Sequence, residues 1–352
     1  VCLFAGFLLA CGDTQDSNGD DDSLDIPLRF ELQSVGFLAD SLFPGPAVIA
    51  RFQRTRTGEI FVGPFYRGAT ALARVGADLQ TIEPAVRRGF GPGEATGMFV
   101  YALSPDDGLI LAARELGRSQ VLSRDVTVRF GAPTLRQPDG VGMCGGRVVM
   151  TGSSLADGAL ASGVYAADSG AQQVTLLHAL ETDSARRIVG AVENLLSIRR
   201  DRIVAAIPNR PEVVVSDSGC RQFKRVVIPL AWFQPWTGRN AGGPEVRPNV
   251  IDLHWHNDSV ALLHIVRANP DAGIKKGSGP TDAPTASVAN VPLFLSDLVA
   301  FDVETGRVLA YLNGRYMPYK FTSDGEVAVH HFGDIDATEL LTLRLVANAK
   351  LK

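Results

Sequence analysis

Blocks of basic residues are missing from this sequence. Its 34 Lys and Arg stand against 38 Asp and Glu, for a formal net charge of -4. A mildly acidic chain without a positive patch has no electrostatic footprint for nucleic acid, so no nucleic-acid partner is expected. Catalytic signatures are missing too. No Gly-x-Ser-x-Gly elbow occurs, and Gly152-Ser153-Ser154 has no helix pattern behind it, so it reads as a turn. No Ser/His/Asp or Cys/His spacing stands out. The apolar run over residues 2–10 is too short to span a bilayer as a helix. What remains is an ordinary globular composition, 352 residues and 45% hydrophobic, rich in Gly (36) and Pro (20). Such a composition suits many tight turns.

The run CLFAGFLLA matches the apolar core of a secretory signal, although no positively charged residues lead it. It ends in Leu8-Leu9-Ala10-Cys11, which resembles the bacterial lipobox, in which the Cys receives a lipid. Residues 1–10 are therefore expected to be a lipoprotein signal peptide and Cys11 the point of lipid attachment. Several acyl chains would make the anchor stable. Residues 11–25, GDTQDSNGDDDSLD after the Cys, are acidic and have nothing to bury, so they read as a disordered tether. Gly12 after the Cys implies the outer membrane rather than retention. The expected address is the bacterial cell envelope, facing periplasm or surface.

From residue 26 onward a rhythm sets in. An apolar strand preceded by a Gly or Asp turn recurs six times, starting at Gly58, Gly108, Gly146, Asp201, Asp258 and Gly325. Each follows a less regular strand and so reads as the second arm of a hairpin. After the first five comes a second hairpin, with tips at Asp78, Asp125, Asp168, Asp217 and Glu304. Asp, Ser and Gly belong there because short side chains bond the backbone and Gly accepts positive φ. The sixth unit has only half of its second hairpin, residues 339–346, while residues 26–35 form a strand with no partner of their own. Pairing the two closes a ring and removes the open edge. The units run to about 55 residues each, a propeller repeat length. The expected fold is all-β: a six-bladed β-propeller over residues 26–352, its N-terminal strand closing the last blade. A β-sandwich, the alternative, needs far fewer strands.

The first blade leaves through Arg87-Arg88-Gly89-Phe90-Gly91-Pro92-Gly93-Glu94. This Gly-x-Gly-Pro-Gly-Glu run, the strand at Gly58 and the lipobox together resemble the bacterial six-bladed propeller lipoproteins, a group related to NHL-repeat propellers. The resemblance implies a fold and an address, and no reaction. Gly89, Gly91 and Gly93 do not make a dinucleotide site, because a strand and not a helix follows. The loop reads as a tight crossover, stiffened by Pro92, with Glu94 capping nearby amides or pairing with Arg87 or Arg88.

Four groups of side chains are candidates for function. Cys144 and Cys220 would share an oxidising compartment. Cys144 ends an inner strand of blade three, whereas Cys220 lies at an outer hairpin tip of blade four. Two strand widths plus a blade gap exceed the roughly 7 Å that a disulfide allows, so two separate thiols are expected. His254 and His256 alternate onto one face of an inner strand that also carries Asp252; His264 lies on the returning strand, its face set by the hairpin register, and His330-His331 follow the second strand of blade six. His-x-His can begin a zinc or copper site but lacks further ligands fixed by sequence. All three Trp fall in a short span, and the loop 230–248 carries Trp232, Phe233, Trp236 and Arg239, with Trp255 just beyond. The loop is either an interaction surface or a plug folded over the channel. A second insertion, residues 268–291, is small, polar and Pro-rich.

The expectation is a lipid-anchored, monomeric, non-enzymatic binding or scaffold protein for a protein or polymer ligand, with no cofactor. Its working face should lie at blades four and five. The alternative is a metal-dependent propeller hydrolase or lyase of the lactonase type, using Asp252, His254 and His256.

Overall fold

The recurring strands carry unbroken apolar runs such as Ile60–Val62, Leu109–Ala113 and Ile203–Ile207, more than a half-buried sheet would need. The computed structural model supplies the reason: they are covered on both faces. Leu109–Ala113 is buried throughout. Leu109, Leu111 and Ala113 pack with Phe61, Leu72 and Val86, whereas Ile110 and Ala112 pack with Val148, Met150 and Tyr165. Successive side chains of a strand point to opposite faces, so one strand feeds two cores.

The structure describes residues 26–38, 51–63, 68–97, 99–156, 159–180, 195–235, 247–272, 294–314, 319–321, 326–331 and 337–348. The expected signal peptide and tether, residues 1–25 with Cys11, lie outside them. Strand β1 (Leu28–Leu38) comes first. Blade one is β2 (Arg51–Arg54), β3 (Ile60–Gly63), β4 (Thr70–Val75) and β5 (Ile82–Arg87). Blade two is β6 (Phe99–Leu103), β7 (Leu109–Ala113), β8 (Arg118–Leu122) and β9 (Val128–Pro133). Blade three is β10 (Gln137–Cys144), β11 (Arg147–Ala156), β12 (Ala159–Ala167) and β13 (Thr175–Ala179). Blade four is β14 (Leu196–Arg199), β15 (Arg202–Ile207), β16 (Glu212–Ser216) and β17 (Phe223–Val227). Blade five is β18 (Asn249–Trp255), β19 (Val260–Ala268), β20 (Phe294–Asp302) and β21 (Val308–Gly314). Blade six is β22 (Tyr319–Phe321), β23 (Glu326–His331) and β24 (Ala337–Ala347), completed by β1.

The protein is thus an all-β six-bladed propeller. β1 pairs antiparallel with β24, from Leu28 opposite Ala347 to Leu38 opposite Thr338, with one irregularity between Ser34 and Gly36. The N-terminal strand is the outer strand of the last blade, as the half-hairpin at 339–346 required. Each pair of adjacent blades encloses its own apolar cluster, six in all among the described residues.

The turns do what their residues dictate. Asp217 Oδ1 accepts from the amides of Arg221 (2.8 Å) and Gln222 (3.0 Å), and Asp302 Oδ1 from those of Glu304 (3.0 Å) and Thr305 (2.8 Å). The inner turns also latch neighbouring blades. Arg56 Nε donates to Asp107 Oδ2 at 3.2 Å, the Gly145 amide to Asp201 Oδ1 at 2.8 Å, and Arg199 Nε to Asp258 Oδ1 at 2.9 Å. These aspartates stand at or beside the turn position that begins each recurring strand.

The cysteines correct the sequence reading. Cys144 and Cys220 form a disulfide, with Cα atoms 6.4 Å apart. The blades are twisted, not flat. Neighbouring strands rotate by roughly 20–25°, so an outer strand lies roughly 60–75° from the inner one. That rotation swings the β16–β17 turn toward blade three. The Gly219 amide then donates to the Asp201 carbonyl at 2.9 Å, and Cys220 is fully buried with Cys144 in the cluster between blades three and four.

Candidate functional site

Arg51, on the innermost strand of blade one, donates from Nη2 to the carbonyl of Asp139 in blade three at 2.7 Å. Those strands are not neighbours, so the buried guanidinium joins the inner strands of blades one and three past blade two. The Tyr101 hydroxyl of blade two bonds the Arg51 carbonyl, with the Phe61 carbonyl 3.0 Å away. Burial pushes the Tyr101 phenol well above its usual range, so it is a fixed donor.

Blade five holds the histidines. Leu253 and Trp255 pack toward blade four, so His254 takes the opposite face of β18, across from Leu262, which packs toward blade six. Asp252 and His264 are cross-strand partners on that same face, and both are buried. Burial, with the nearby His256 and Arg199, holds His254 down to about 3, so it is neutral. His256 is lowered by burial and by Arg199. Among the described residues no group of three or more His, Cys, Asp or Glu could hold a metal ion.

The aromatic candidates separate. Phe233 and Trp255 are buried, 2% and 3% exposed, in the core between blades four and five, with Arg202 5.4 Å over the Trp255 ring. Neither presents a surface to a partner. Trp236 and Arg239 lie outside the described residues. Trp232 is only partly buried and sits at the rim of that core.

Around Trp232 the structure assembles a site that the sequence reading missed. Arg267 on β19 stacks over the indole at 5.1 Å, and the Tyr311 and Phe233 rings flank it at 6.2 and 5.8 Å. Arg267 Nε donates to Asp297 Oδ2 at 2.5 Å, and the Asp297 side chain is fully buried. Asn313 is the cross-strand partner of Asp297, and Tyr311 that of Val299, which packs toward blade four. Asp297, Tyr311 and Asn313 therefore share the blade-four face of the sheet. Burial raises the Asp297 carboxyl, while Arg267 and a hydrogen bond from Tyr311 act the other way. Burial would lower Arg267, but the Asp297 charge outweighs it. Asp297 Oδ1 and Asn313 Oδ1 are both sealed from solvent, and neither has a hydrogen-bond donor. The signal was visible in Phe294–Asp302: a carboxylate interrupts FLSDLVAFD, a strand covered on both faces.

The Gly89–Glu94 loop is held by Glu94 and by side chains of β8. Glu94 Oε2 accepts from the Gly91 amide at 2.8 Å, the first of the two roles considered for it. Gln120 accepts from the Gly93 amide at 2.8 Å and donates to the Glu94 carbonyl at 3.0 Å. A Cβ on Gly89 would fall 2.1 Å from Glu94 Oε2, so any side chain there would displace the Glu94 carboxylate from the Gly91 amide. Pro92 caps the corner between Gly91 and Gly93, whose φ is +77°. The loop carries Phe90 outward, 70% exposed.

No protein-family model matches the chain, and no curated protein matches it. Solved structures do. The chain is similar to a member of the DUF4221 family from Bacteroides vulgatus, with a TM-score of 0.55 and 10% identity over 91% of this chain and 99% of that one. It is also similar to a putative exported protein from Bacteroides fragilis, with a TM-score of 0.53 and 10% identity over 90% of this chain and 95% of that one. Identity this low shows the fold alone. The resemblance to six-bladed propeller lipoproteins holds for the architecture.

Proposed function

We propose that the chain is an exported, lipid-anchored, non-enzymatic binding propeller whose ligand docks at the seam between blades four and five. The observation that carries this reading is the convergence of Trp232, Arg267, Asp297, Tyr311 and Asn313 from three strands and one loop. That cluster stands within a few residues of both insertions, the loop after Leu230 and the segment before Phe294. Export is supported by the Cys144–Cys220 bond, which needs an oxidising compartment. One structural neighbour is described as a putative exported protein, which agrees. Lipid attachment at Cys11 rests on the lipobox-like run Leu8-Leu9-Ala10-Cys11.

The metal-dependent hydrolase is the weaker reading. His254 is packed between blades five and six, opposite Leu262, and is kept neutral by burial. The test is affinity capture from detergent-solubilised envelopes, wild type against Trp232→Ala. The reading requires a captured component that the variant loses. Equal capture by both forms would remove the seam from consideration. Metabolic labelling with a radioactive fatty acid, lost in Cys11→Ala, tests the anchor separately.

A further inference from the structure

Two acceptor oxygens without a donor, side by side in a buried seam, are costly unless something supplies hydrogens to them. Asp297 Oδ1 and Asn313 Oδ1 are such a pair: cross-strand partners on one face, both sealed, both without a donor. The charge of Asp297 is already balanced by Arg267 at 2.5 Å. A cationic ligand would therefore meet no net attraction and would be repelled by Arg267. A neutral ligand rich in hydroxyl donors has no such conflict. The same seam carries two aromatic rings, Trp232 and Tyr311, 6.2 Å apart, of the kind that cover the apolar face of a sugar ring.

We infer that this seam takes one pyranose unit of a neutral saccharide, its hydroxyls donating to Asp297 Oδ1 and Asn313 Oδ1 and its ring face stacking on Trp232. The inference rests on the seam being the docking site, as proposed above. Because both oxygens are sealed, Trp232 must lift from Arg267 to admit the sugar. That contact is a partly exposed cation–π pair, weak enough to break on binding. Arg267, once uncovered, offers further donors to ring or linkage oxygens. Its planar fork suits that role better than a lysine ammonium would.

The experiment is calorimetric and fluorescence titration of the full chain with cellotetraose, maltotetraose and chitotetraose. Spermidine serves as a cationic arm and polygalacturonate as an acidic one. The expected result is saturable binding of at least one neutral tetrasaccharide with a change in indole emission. Trp232→Ala and Asn313→Leu should each weaken it about ten-fold, the loss of one stacking or hydrogen-bonding contact. Both variants are checked for an unchanged far-ultraviolet spectrum. Binding of spermidine or polygalacturonate, lost in Trp232→Ala, overturns the saccharide and keeps the seam. No binding of any neutral saccharide up to about 10 mM, a weaker affinity than one stacked ring supplies, overturns the inference. A half-turn of the Asn313 amide would hand its donors to Asp297. If that is its resting state, Asn313→Leu lowers the melting temperature and no saccharide binds, which also overturns it. Loss of the inference together with unchanged envelope capture by Trp232→Ala brings down the seam reading as well.

Discussion

Cys144 and Cys220 are bonded across the seam between blades three and four, on the far side of the ring from the point where β1 joins β24. Both side chains are buried, 1% and 0% exposed, in the cluster that unites those blades. The bond closes a loop of 76 residues, for which the chain-entropy argument gives a ceiling of about 4 kcal/mol. The double variant Cys144→Ala/Cys220→Ala should therefore unfold at distinctly lower guanidinium concentration than wild type. In unfolded but unreduced wild type, neither thiol should react with iodoacetamide. Full alkylation of both would mean that the bond is not made.

Closure of the ring by β1 makes a more discriminating prediction. Glu31 is paired with Arg344 at a hydrogen-bonded position of the ladder, in step with the bond from the Asn348 amide to the Pro27 carbonyl, whereas Val35 falls at the irregularity between Ser34 and Gly36. Proline removes a ladder donor and is tolerated only at edges and bulges. Glu31→Pro removes a ladder donor and leaves the Arg344 carbonyl unpaired, so it should cost about 1–3 kcal/mol, and Val35→Pro much less. Equal melting temperatures for the two variants would contradict the pairing register.

The outer turns of blades three and five also reach the preceding blade, and glycine is needed for different reasons at each. A Cβ at Gly306 would lie 2.0 Å from the Val227 carbonyl oxygen, whereas one at Gly170 would meet nothing within 4 Å. Their φ angles are almost equal, +76° and +75°. Gly170→Ala should therefore cost only left-handed strain, about 1–2 kcal/mol. Gly306→Ala should cost more, because a backbone oxygen of blade four must move. Urea midpoints of the two variants make the comparison. Matching midpoints would show that blade four does not press on this turn.

These examples show what could be read in advance and what could not. The six recurring strands were legible because burial on both faces leaves an uninterrupted apolar run, as in Leu109–Ala113. Ring closure was legible because a lone strand at residues 26–35 and a lone half-hairpin at 339–346 each lacked a partner. The disulfide was not, because sequence spacing carries no information on blade twist, and twist brings Cys220 to Cys144. The seam site was half legible. Trp232 stood out, but Phe233 and Trp255, equally aromatic, turned out to be core. Arg267, Asp297 and Asn313 come together only through the register of β19, β20 and β21, which inserts a long segment between the first and the other two.

His254 tests whether the inner strand of blade five is as dry as its packing suggests. In the folded chain its imidazole is held down to about 3 by burial, with smaller contributions from His256 and Arg199. An unfolded chain takes up that proton near the ordinary histidine value of about 6.5. Below that value the unfolded state binds a proton that the folded state refuses. Stability should therefore fall as pH falls, by up to about 1.4 kcal/mol per pH unit from this one group. Above about 7 both states are neutral and the effect vanishes. His178 and His256 are also lowered by burial and add to the slope, so the comparison must be differential. His254→Leu removes one titrating group opposite Leu262, where an apolar side chain fits its neighbours. Between pH of about 7 and 5, above the range where carboxylates titrate, wild type should lose more stability than the variant. Two unfolding free-energy curves that stay parallel across that window would show that His254 is not kept neutral by the fold.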